Sequence, residues 1–237
     1  MYRDYIFDLY GTLVDIHTNE NKQYLWTKMA DMFACYGAHY TPKELRACYR
    51  NYVKELEENI PYPYPEIQLE KVFQFLFEDK NIIISHDAII HLGHTFRVLS
   101  RDYLKLYPGV ISLLDTLSEH KKGIYLLSNA QRMFTEAEMR ILGIYSYFDG
   151  ILLSSDAGCK KPQTTFMKEL IHTYHLNAAD CVMIGNDITS DIAVANAVGM
   201  DSIYIHSNLS PEVTEPIPAT HCIMDGNINK LLQLIRN

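Results

Sequence analysis

The chain has 237 residues, a length that suits one large domain or a core domain with a substantial insertion. Hydrophobic residues make up 48% and charged residues 21%, which is typical of globular proteins and excludes collagen, coiled coils and intrinsic disorder. The formal net charge of −8 disfavours non-specific nucleic-acid binding, because such binding needs a basic surface.

The sequence carries no signal for secretion, for a membrane span or for a disulfide scaffold. Its apolar runs are far shorter than the roughly 18 residues that cross a bilayer. The N-terminus leads from Met1 directly into a strand-like segment, which predicts no signal peptide and a cytoplasmic location. The five cysteines never occur at Cys-x-x-Cys spacing, which argues against disulfides and zinc.

The first predicted element is a short strand that ends in a carboxylate. Tyr5 to Phe7 are apolar, Asp8 follows them, and Gly11 and Thr12 occupy the next turn. An acidic residue at the end of a buried strand is a common way to place a reactive group at the edge of a sheet.

Residues 15–104 show helical spacing of apolar residues and no convincing strand pattern. Thr41, Pro42 and Glu44 form a capping box with proline at the first helical position, and Ser85 can cap a later helix that runs toward Tyr103. This pattern predicts an all-helical insertion, which we treat as a cap domain.

From residue 107 onward, apolar strands alternate with amphipathic helices. The predicted strands are Gly123–Leu127, Gly150–Leu153, Cys181–Ile184, Ser202–Ile205 and His221–Met224. The predicted helices are Val110–His120, Phe134–Leu142, Thr164–Tyr174 and Asp191–Val198. Such alternation predicts an α/β fold with a Rossmann-like parallel sheet covered on both faces. The core would comprise residues 1–14 and 105–237, and the helical cap residues 15–104.

Polar side chains follow four of the predicted strands. They are Asp8, Thr12, Ser128, Asn129, Lys161, Asn186, Asp187 and Asp191. Each alone is explained by a turn, a helix cap or a solvated charge. Because open parallel sheets bind ligands beyond the carboxyl ends of their strands, their shared placement predicts one site. That site combines a nucleophile, oxygen ligands for a hard cation and a cationic side chain for an anionic substrate.

Four segments in this order resemble the motifs of the haloacid dehalogenase superfamily of hydrolases. They are Asp8–Asp15, Leu126–Asn129, Lys161–Pro162 and Gly185–Asp191. The insertion lies between the first two, where one large branch of the family carries a helical cap. The resemblance covers nearly the whole chain, and it identifies the superfamily without identifying the substrate.

The resemblance implies a catalytic role for two residues and a binding role for three. Asp8 would be the nucleophile that forms a covalent intermediate, and Lys161 would neutralise charge between nucleophile and substrate. Thr12, Ser128 and Asn129 would hold the substrate anion. A carboxylate that attacks an anionic group is repelled unless cations lie beside both.

The resemblance also implies a Mg²⁺ cofactor bound by the acidic fourth motif. The implied ligands are Asp8, the backbone carbonyl of Tyr10, and Asn186 or Asp187. The usual Asp after the glycine is Asn186 here, and the sequence leaves open which of the two neighbours faces the cation. Asp191 would act from behind the ligands, orienting one of them or holding the lysine.

The first motif departs from the pattern of most phosphatases in the family. Those enzymes have a second Asp two residues after the nucleophile as general acid and base, whereas this chain has Tyr10. A tyrosine with a pKa near ~10 is a poor base at neutral pH. This form of the motif resembles the L-2-haloacid dehalogenases, which expel halide and need no acid.

Other residues point away from dehalogenation. Dehalogenases of this type have a less acidic fourth motif, whereas this chain has Asp187 and Asp191. Their tyrosine six residues after the motif lysine corresponds to Met167 here. They also bind the substrate carboxylate with a cap arginine, a role open to Arg46 or Arg50, although a solvated helix face explains both equally well.

The favoured hypothesis is therefore a Mg²⁺-dependent phosphatase of a small phosphomonoester. An L-2-haloacid dehalogenase-like enzyme is one alternative. A weakly active protein that binds a phosphorylated ligand is another, because Tyr10 removes the acid. All three have a small-molecule partner, and none involves nucleic acid or a membrane.

Overall fold

The computed structural model describes residues 2–214 and 216–236. Its strands are β1 (Asp4–Phe7), β2 (Val14–Thr18), β3 (Arg101–Leu106), β4 (Gly123–Ser128), β5 (Gly150–Leu153), β6 (Cys181–Gly185), β7 (Asp201–Ile205) and β8 (His221–Ile223). Its helices are α1 (Gln23–Cys35), α2 (Pro42–Glu58), α3 (Leu69–Glu78), α4 (His86–Ser100), α5 (Val110–Glu119), α6 (Arg132–Ile141), α7 (Ser154–Ala157), α8 (Thr164–Thr173), α9 (Ala193–Ala197) and α10 (Asn229–Arg236).

Six strands form a parallel sheet in the order β5–β4–β1–β6–β7–β8. The sheet is covered on both faces, because Tyr5 and Phe7 of β1 pack in one apolar cluster and Ile6 packs in another. The first cluster includes Leu113 of α5, and the second includes Leu170 of α8. The predicted α/β class with a Rossmann-like parallel sheet is confirmed.

The insertion between β2 and β3 contains four helices with an apolar core of their own. Its buried aromatic residues include Trp26, Phe33, Phe73 and Phe96. Helix α2 begins as predicted, since the side chain of Thr41 accepts a hydrogen bond from the N3 amide and the N3 glutamate accepts one in return. Among the described residues, no helix combines the length and the apolar character needed to cross a membrane.

The predicted all-helical character of residues 15–104 is wrong at both ends of the insertion. Strands β2 and β3 pair in antiparallel fashion there, and α4 ends at Ser100 instead of continuing toward Tyr103. The backbone turns extended at Arg101, with ψ 134°. In β3, half-buried Leu104 and Leu106 are separated by exposed Lys105. This alternating run is too short to indicate a strand in the sequence. The proposed domain boundaries thus fall inside this two-stranded ribbon.

Helix α6 of the core is where the helical insertion rests on the sheet domain. Met133 and Phe134 belong to the apolar cluster of the insertion, although they follow β4 in the chain. The ring of Phe134 stacks on Phe96 of α4 at a centroid distance of 6.3 Å. Because α6 begins just beyond the end of β4, this contact places the insertion above the carboxyl edge of the sheet.

Candidate functional site

Asp8 lies directly after β1, at the centre of the carboxyl edge of the sheet. Its amide donates to the carbonyl of Ile184, which holds the loop against β6. The residue is 7% exposed. Ser128 Oγ donates to Asp8 Oδ1 at 3.0 Å, and Thr12 Oγ1 lies 3.4 Å from Asp8 Oδ2. The register of β1 with β4 and β6 therefore gathers the first, second and fourth motifs around one carboxylate.

Lys161 is buried between two carboxylates. Its Nζ lies 2.7 Å from Asp8 Oδ1, and the same atom donates to the carbonyl of Leu127 at 2.7 Å. The distance from Nζ to Asp191 Oδ1 is also 2.7 Å, an ion pair without the alignment of a full hydrogen bond. Burial alone would lower the pKa of Lys161, but the charges of Asp191 and Asp8 raise it above its ordinary value. The ammonium is therefore held charged beside the candidate nucleophile.

Lys160 points the other way, although it is the adjacent residue. Its Nζ lies 3.5 Å from Glu57 of α2 and 3.8 Å from Glu66, both in the helical insertion. The amide side chain of Asn129 explains how Lys161 is turned inward. Asn129 Oδ1 accepts from the Lys161 amide at 2.7 Å, and Asn129 Nδ2 donates to the Lys161 carbonyl at 3.2 Å. Asn129, expected to bind a substrate anion, here fixes the lysine backbone.

The two adjacent lysines give a matched pair of variants. We expect Lys161→Ala to lower kcat/KM by about 10²–10³-fold, the loss typical of removing one preorganised charge donor. Lys160→Ala removes only partly exposed ion pairs, so its effect is expected to stay below about fivefold. Steady-state kinetics on the two purified variants measures the difference, and equal damage in both would contradict the assignment.

Asp191 organises the loop that follows β6. Its Oδ2 accepts from the backbone amides of Asn186 at 3.0 Å and Asp187 at 3.1 Å. A Cβ at Gly185 would collide with the Asp191 side chain, so only glycine fits there. Burial raises the pKa of Asp191 to about 6, although the charge of Lys161 opposes that shift. Asp191 thus contacts both the lysine and the backbone of the fourth motif.

Asn186 and Asp187 face different neighbours. Asn186 Oδ1 lies 3.3 Å from Thr12 Oγ1, the hydroxyl that also contacts Asp8 Oδ2. The side chain of Asn186 packs over Gly11, whose φ of +92° and missing Cβ both leave room for it. Asp187 Oδ1 instead accepts from the amide and the hydroxyl of Thr189, both at 2.8 Å, and caps the wide helical turn before α9. The amide of Asn186 is therefore turned toward Asp8, and Asp187 serves the turn.

The oxygen atoms near Thr12 suit a hard cation only in part. Among the described residues, the only side-chain hydrogen bond to Asp8 Oδ2 comes from Thr12 at 3.4 Å, and the only one to Asn186 Oδ1 comes from Thr12 at 3.3 Å. Carboxylate and amide oxygens are ligands that Mg²⁺ accepts, the carboxylate more strongly. In residues 2–214 and 216–236, no group of three His, Cys, Asp or Glu is arranged to hold a metal. A cation here would thus have one firmly charged side-chain ligand.

Tyr10 does not present a free hydroxyl. Its phenol donates to Glu138 Oε2 at 2.5 Å and lies 3.1 Å from Thr135 Oγ1, both on α6. Glu138 also accepts from Arg97 Nε at 2.8 Å and from Arg101 at 3.1 Å. Burial, together with the charge of Glu138, raises the pKa of Tyr10 well above its ordinary value. The phenol is therefore protonated and committed to a carboxylate that two guanidinium groups neutralise.

This network was missed at the sequence level. Glu138 lies four residues after Phe134 and three after Thr135 on the face of α6 that is buried, where a charged residue is rare without a partner. A glutamate at that position indicates a buried ion pair. Its partners Arg97 and Arg101 lie in other elements, and no sequence spacing links them to Glu138.

Tyr10 stands where the family resemblance implies a general acid, so for a phosphatase the rate should depend on the leaving group. We expect aryl phosphates with good leaving groups to be cleaved about 10²–10⁴-fold faster than alkyl phosphates, the usual contribution of a general acid. Tyr10→Phe should leave this ratio unchanged. The measurement is kcat/KM across phosphomonoesters of graded leaving-group pKa. A flat profile in the wild type would show that another residue supplies the proton.

Comparisons of sequence and of structure show which known proteins this chain resembles. The sequence model for haloacid dehalogenase-like hydrolases matches residues 4–199. The ribulose-1,5-bisphosphate 5-phosphatase of Halopiger xanaduensis is 28% identical over 145 residues, which are 60% of this chain and 61% of that protein. The match thus spans less than two thirds of that relative.

Two solved structures have a similar fold. The HAD-hydrolase YfnB of Bacillus subtilis, bound to magnesium, has a TM-score of 0.58 and 18% identity, and the match covers 100% of this chain and 99% of that one. The L-2-haloacid dehalogenase RSc1362 has a TM-score of 0.60 and 17% identity, with 100% and 99% covered. At these identities the two structures establish likeness of fold alone.

Proposed function

Because the chain belongs to the haloacid dehalogenase-like hydrolases, we propose that it is a Mg²⁺-dependent phosphatase of a small phosphomonoester. The observation that carries the proposal is the position of Lys161, buried 2.7 Å from both Asp8 and Asp191 at the carboxyl edge of the sheet. The phosphatase name of the Halopiger relative supports attack at phosphorus over displacement of a halide from carbon.

The residues around Asp8 suggest a two-step reaction. An oxygen of Asp8 attacks phosphorus and the bond to the leaving oxygen breaks, which produces an acyl phosphate on Asp8 and an alkoxide that takes a proton from water. Water then attacks the phosphoryl group and gives up a proton that neutralises the hydroxide left by the first step, and the bond to Asp8 breaks to release inorganic phosphate and the free carboxylate. Lys161 and Ser128 hold Asp8 in place during both steps.

A cation at this site would neutralise charge between the carboxylate and the phosphoryl oxygens. Asp8 and Asn186 would supply its side-chain ligands, and the carbonyl of Tyr10 a backbone ligand. Asp187 is the less favoured metal ligand of the two, because its Oδ1 already accepts two hydrogen bonds from Thr189. Thr12, between Asp8 and Asn186, would orient both oxygens.

The dehalogenase hypothesis retains one supporting observation, since Tyr10 stands where a phosphatase acid is expected. One activity panel distinguishes the two enzymes and also tests for a protein that only binds ligand. We expect hydrolysis of p-nitrophenyl phosphate and small alkyl phosphates, loss of that hydrolysis with EDTA and recovery with Mg²⁺. Halide release from a 2-haloacid in EDTA, without phosphatase activity in any metal, would replace this proposal. Binding of phosphate esters without turnover would favour the inactive relative.

The amide at position 186 gives a prediction about the cation alone. Replacing Asn186 with Asp adds a charged ligand, so we expect Mg²⁺ to bind about tenfold or more tightly, since ligand charge governs affinity for hard cations. The readout is the rise in melting temperature as Mg²⁺ is added, which needs no turnover. Asp187→Asn is the matched control and should change the Mg²⁺ titration little. If Asp187→Asn instead weakened Mg²⁺ binding and Asn186→Asp left it unchanged, the cation ligand would be Asp187.

A further inference from the structure

A buried carboxylate of the insertion lies against the loops that carry the second and third motifs. Glu66 belongs to the connection between α2 and α3, and it is 8% exposed. Its Oε2 accepts from Ser154 Oγ at 2.7 Å, and its Oε1 accepts from Gln131 Nε2 at 3.0 Å. Burial raises the pKa of Glu66, and the hydrogen bond from Ser154 opposes that shift. A carboxylate of the insertion is thus bound by two side chains of the sheet domain.

The hydrogen bonds of Ser154 and Gln131 continue into the loop after β4. Ser154 Oγ accepts from the backbone amide of Ala130 at 2.8 Å. Ala130 immediately follows Asn129, whose side chain binds both the amide and the carbonyl of Lys161. Gln131 makes two further hydrogen bonds with the backbone of residues 67–69. The loop that fixes the backbone of Lys161 is therefore itself fixed to the insertion.

The segment just before Lys161 is paired with the insertion through its backbone. An antiparallel bridge joins residues 64–66 to residues 158–160. The amide of Glu66 donates to the carbonyl of Gly158 at 3.1 Å, and a second backbone hydrogen bond of 2.9 Å joins the other ends of the two segments. Both segments that set the backbone of Lys161 therefore meet at Glu66.

We propose that Glu66 is a positioning residue for Lys161, because its carboxylate ties together the two loops that hold the lysine. The proposal rests on the role of Lys161 in the proposed phosphatase. The lysine ammonium lies 2.7 Å from both Asp8 and Asp191, a placement that a small shift of either loop would change. A displacement of about 1 Å at a reacting group can cost ~10²-fold in rate.

Removal of the carboxylate tests the proposal. Glu66→Ala is expected to lower kcat for p-nitrophenyl phosphate about 10–100-fold. Glu66→Gln keeps an oxygen that can accept from Ser154, so it should recover part of that loss, and it serves as the test variant if Glu66→Ala does not fold. Glu57→Ala is the matched control, because Glu57 lies 3.5 Å from Lys160 but its side chain is 37% exposed. The control should change kcat by less than about twofold.

The Lys161→Ala background separates positioning from a general loss of structure. If Glu66 acts through the lysine, Glu66→Ala should lower the residual activity of Lys161→Ala by less than about threefold. A merely structural attachment of the insertion would lower the activity by the same factor in both backgrounds. That result, or an unchanged kcat in Glu66→Ala, would overturn the proposal.

Hydrogen exchange of the backbone provides a readout that needs no turnover. The amides of Ala130 and Lys161 both donate to side chains, Ser154 Oγ and Asn129 Oδ1. In Glu66→Ala we expect both amides to exchange about tenfold faster, which corresponds to the loss of one hydrogen bond to a charged group. Exchange in the Glu57 control should match the wild type.

Failure of this inference differs from failure of the phosphatase proposal. If the wild type hydrolyses no phosphomonoester, the phosphatase proposal fails. The exchange measurement then still decides whether Glu66 holds the two loops, since wild-type exchange at both amides in Glu66→Ala would overturn the positioning role.

Discussion

Asp8→Asn is expected to abolish hydrolysis while the protein stays folded. Losing a covalent nucleophile typically costs roughly 10⁴–10⁶-fold in kcat. The fold should survive, because an asparagine of the same shape still accepts from Ser128 Oγ, and Lys161 keeps its ion pair with Asp191. Phosphate release measures the activity, and circular dichroism with thermal unfolding measures the fold.

Asp4→Asn is the matched control for that variant. Asp4 is buried to the same extent, 7% exposed, and begins β1, whereas Asp8 follows the other end of that strand. Its removal should leave kcat unchanged. If Asp8→Asn kept more than a few per cent of wild-type activity, or if Asp4→Asn lost as much, the covalent mechanism at the end of β1 would be wrong.

The parts of the fold that the sequence predicts are those in which periodicity is strong. Six strands of the parallel sheet and the helical character of most of the insertion follow from apolar runs and from helical spacing. The convergence of the motifs follows from one rule, since Asp8, Ser128 and Asn186 each stand at the carboxyl end of a neighbouring parallel strand. Helix α7 has four residues, too few for a helical period to stand out, and α10 is not among the predicted helices.

The contacts that were not predicted depend on tertiary geometry. The sequence leaves Asn186 and Asp187 equivalent, and only the packing of Asn186 over Gly11 and the cap formed by Asp187 distinguish them. The pairing of β2 with β3 joins residues 83 to 92 positions apart, from Thr18 with Arg101 to Val14 with Leu106. No local pattern encodes such a partner.

The network around Glu138 predicts the largest effect on stability. Glu138 is 3% exposed at its side chain and holds Arg97, Arg101 and the Tyr10 phenol. In Glu138→Ala, two partly buried guanidinium groups lose their carboxylate and the phenol loses its acceptor. Breaking a buried ion pair from one side costs about 3–5 kcal/mol in the free energy of unfolding. For a chain of this size, that corresponds to a fall in Tm of roughly 6–20 °C.

Glu136, two residues earlier on α6, provides the control for that prediction. It pairs with Arg132 and Arg140, but its side chain is 33% exposed. Because ion pairs at the surface contribute little, Glu136→Ala should lower the free energy of unfolding by less than about 1 kcal/mol. Urea unfolding of both variants measures the contrast. If both variants lowered the free energy of unfolding by the same small amount, Glu138 would contribute no more than a surface ion pair. A loss confined to Glu138→Ala, together with a smaller one in Glu138→Gln, would show that the carboxylate ties α4 and β3 to the loop that carries Tyr10.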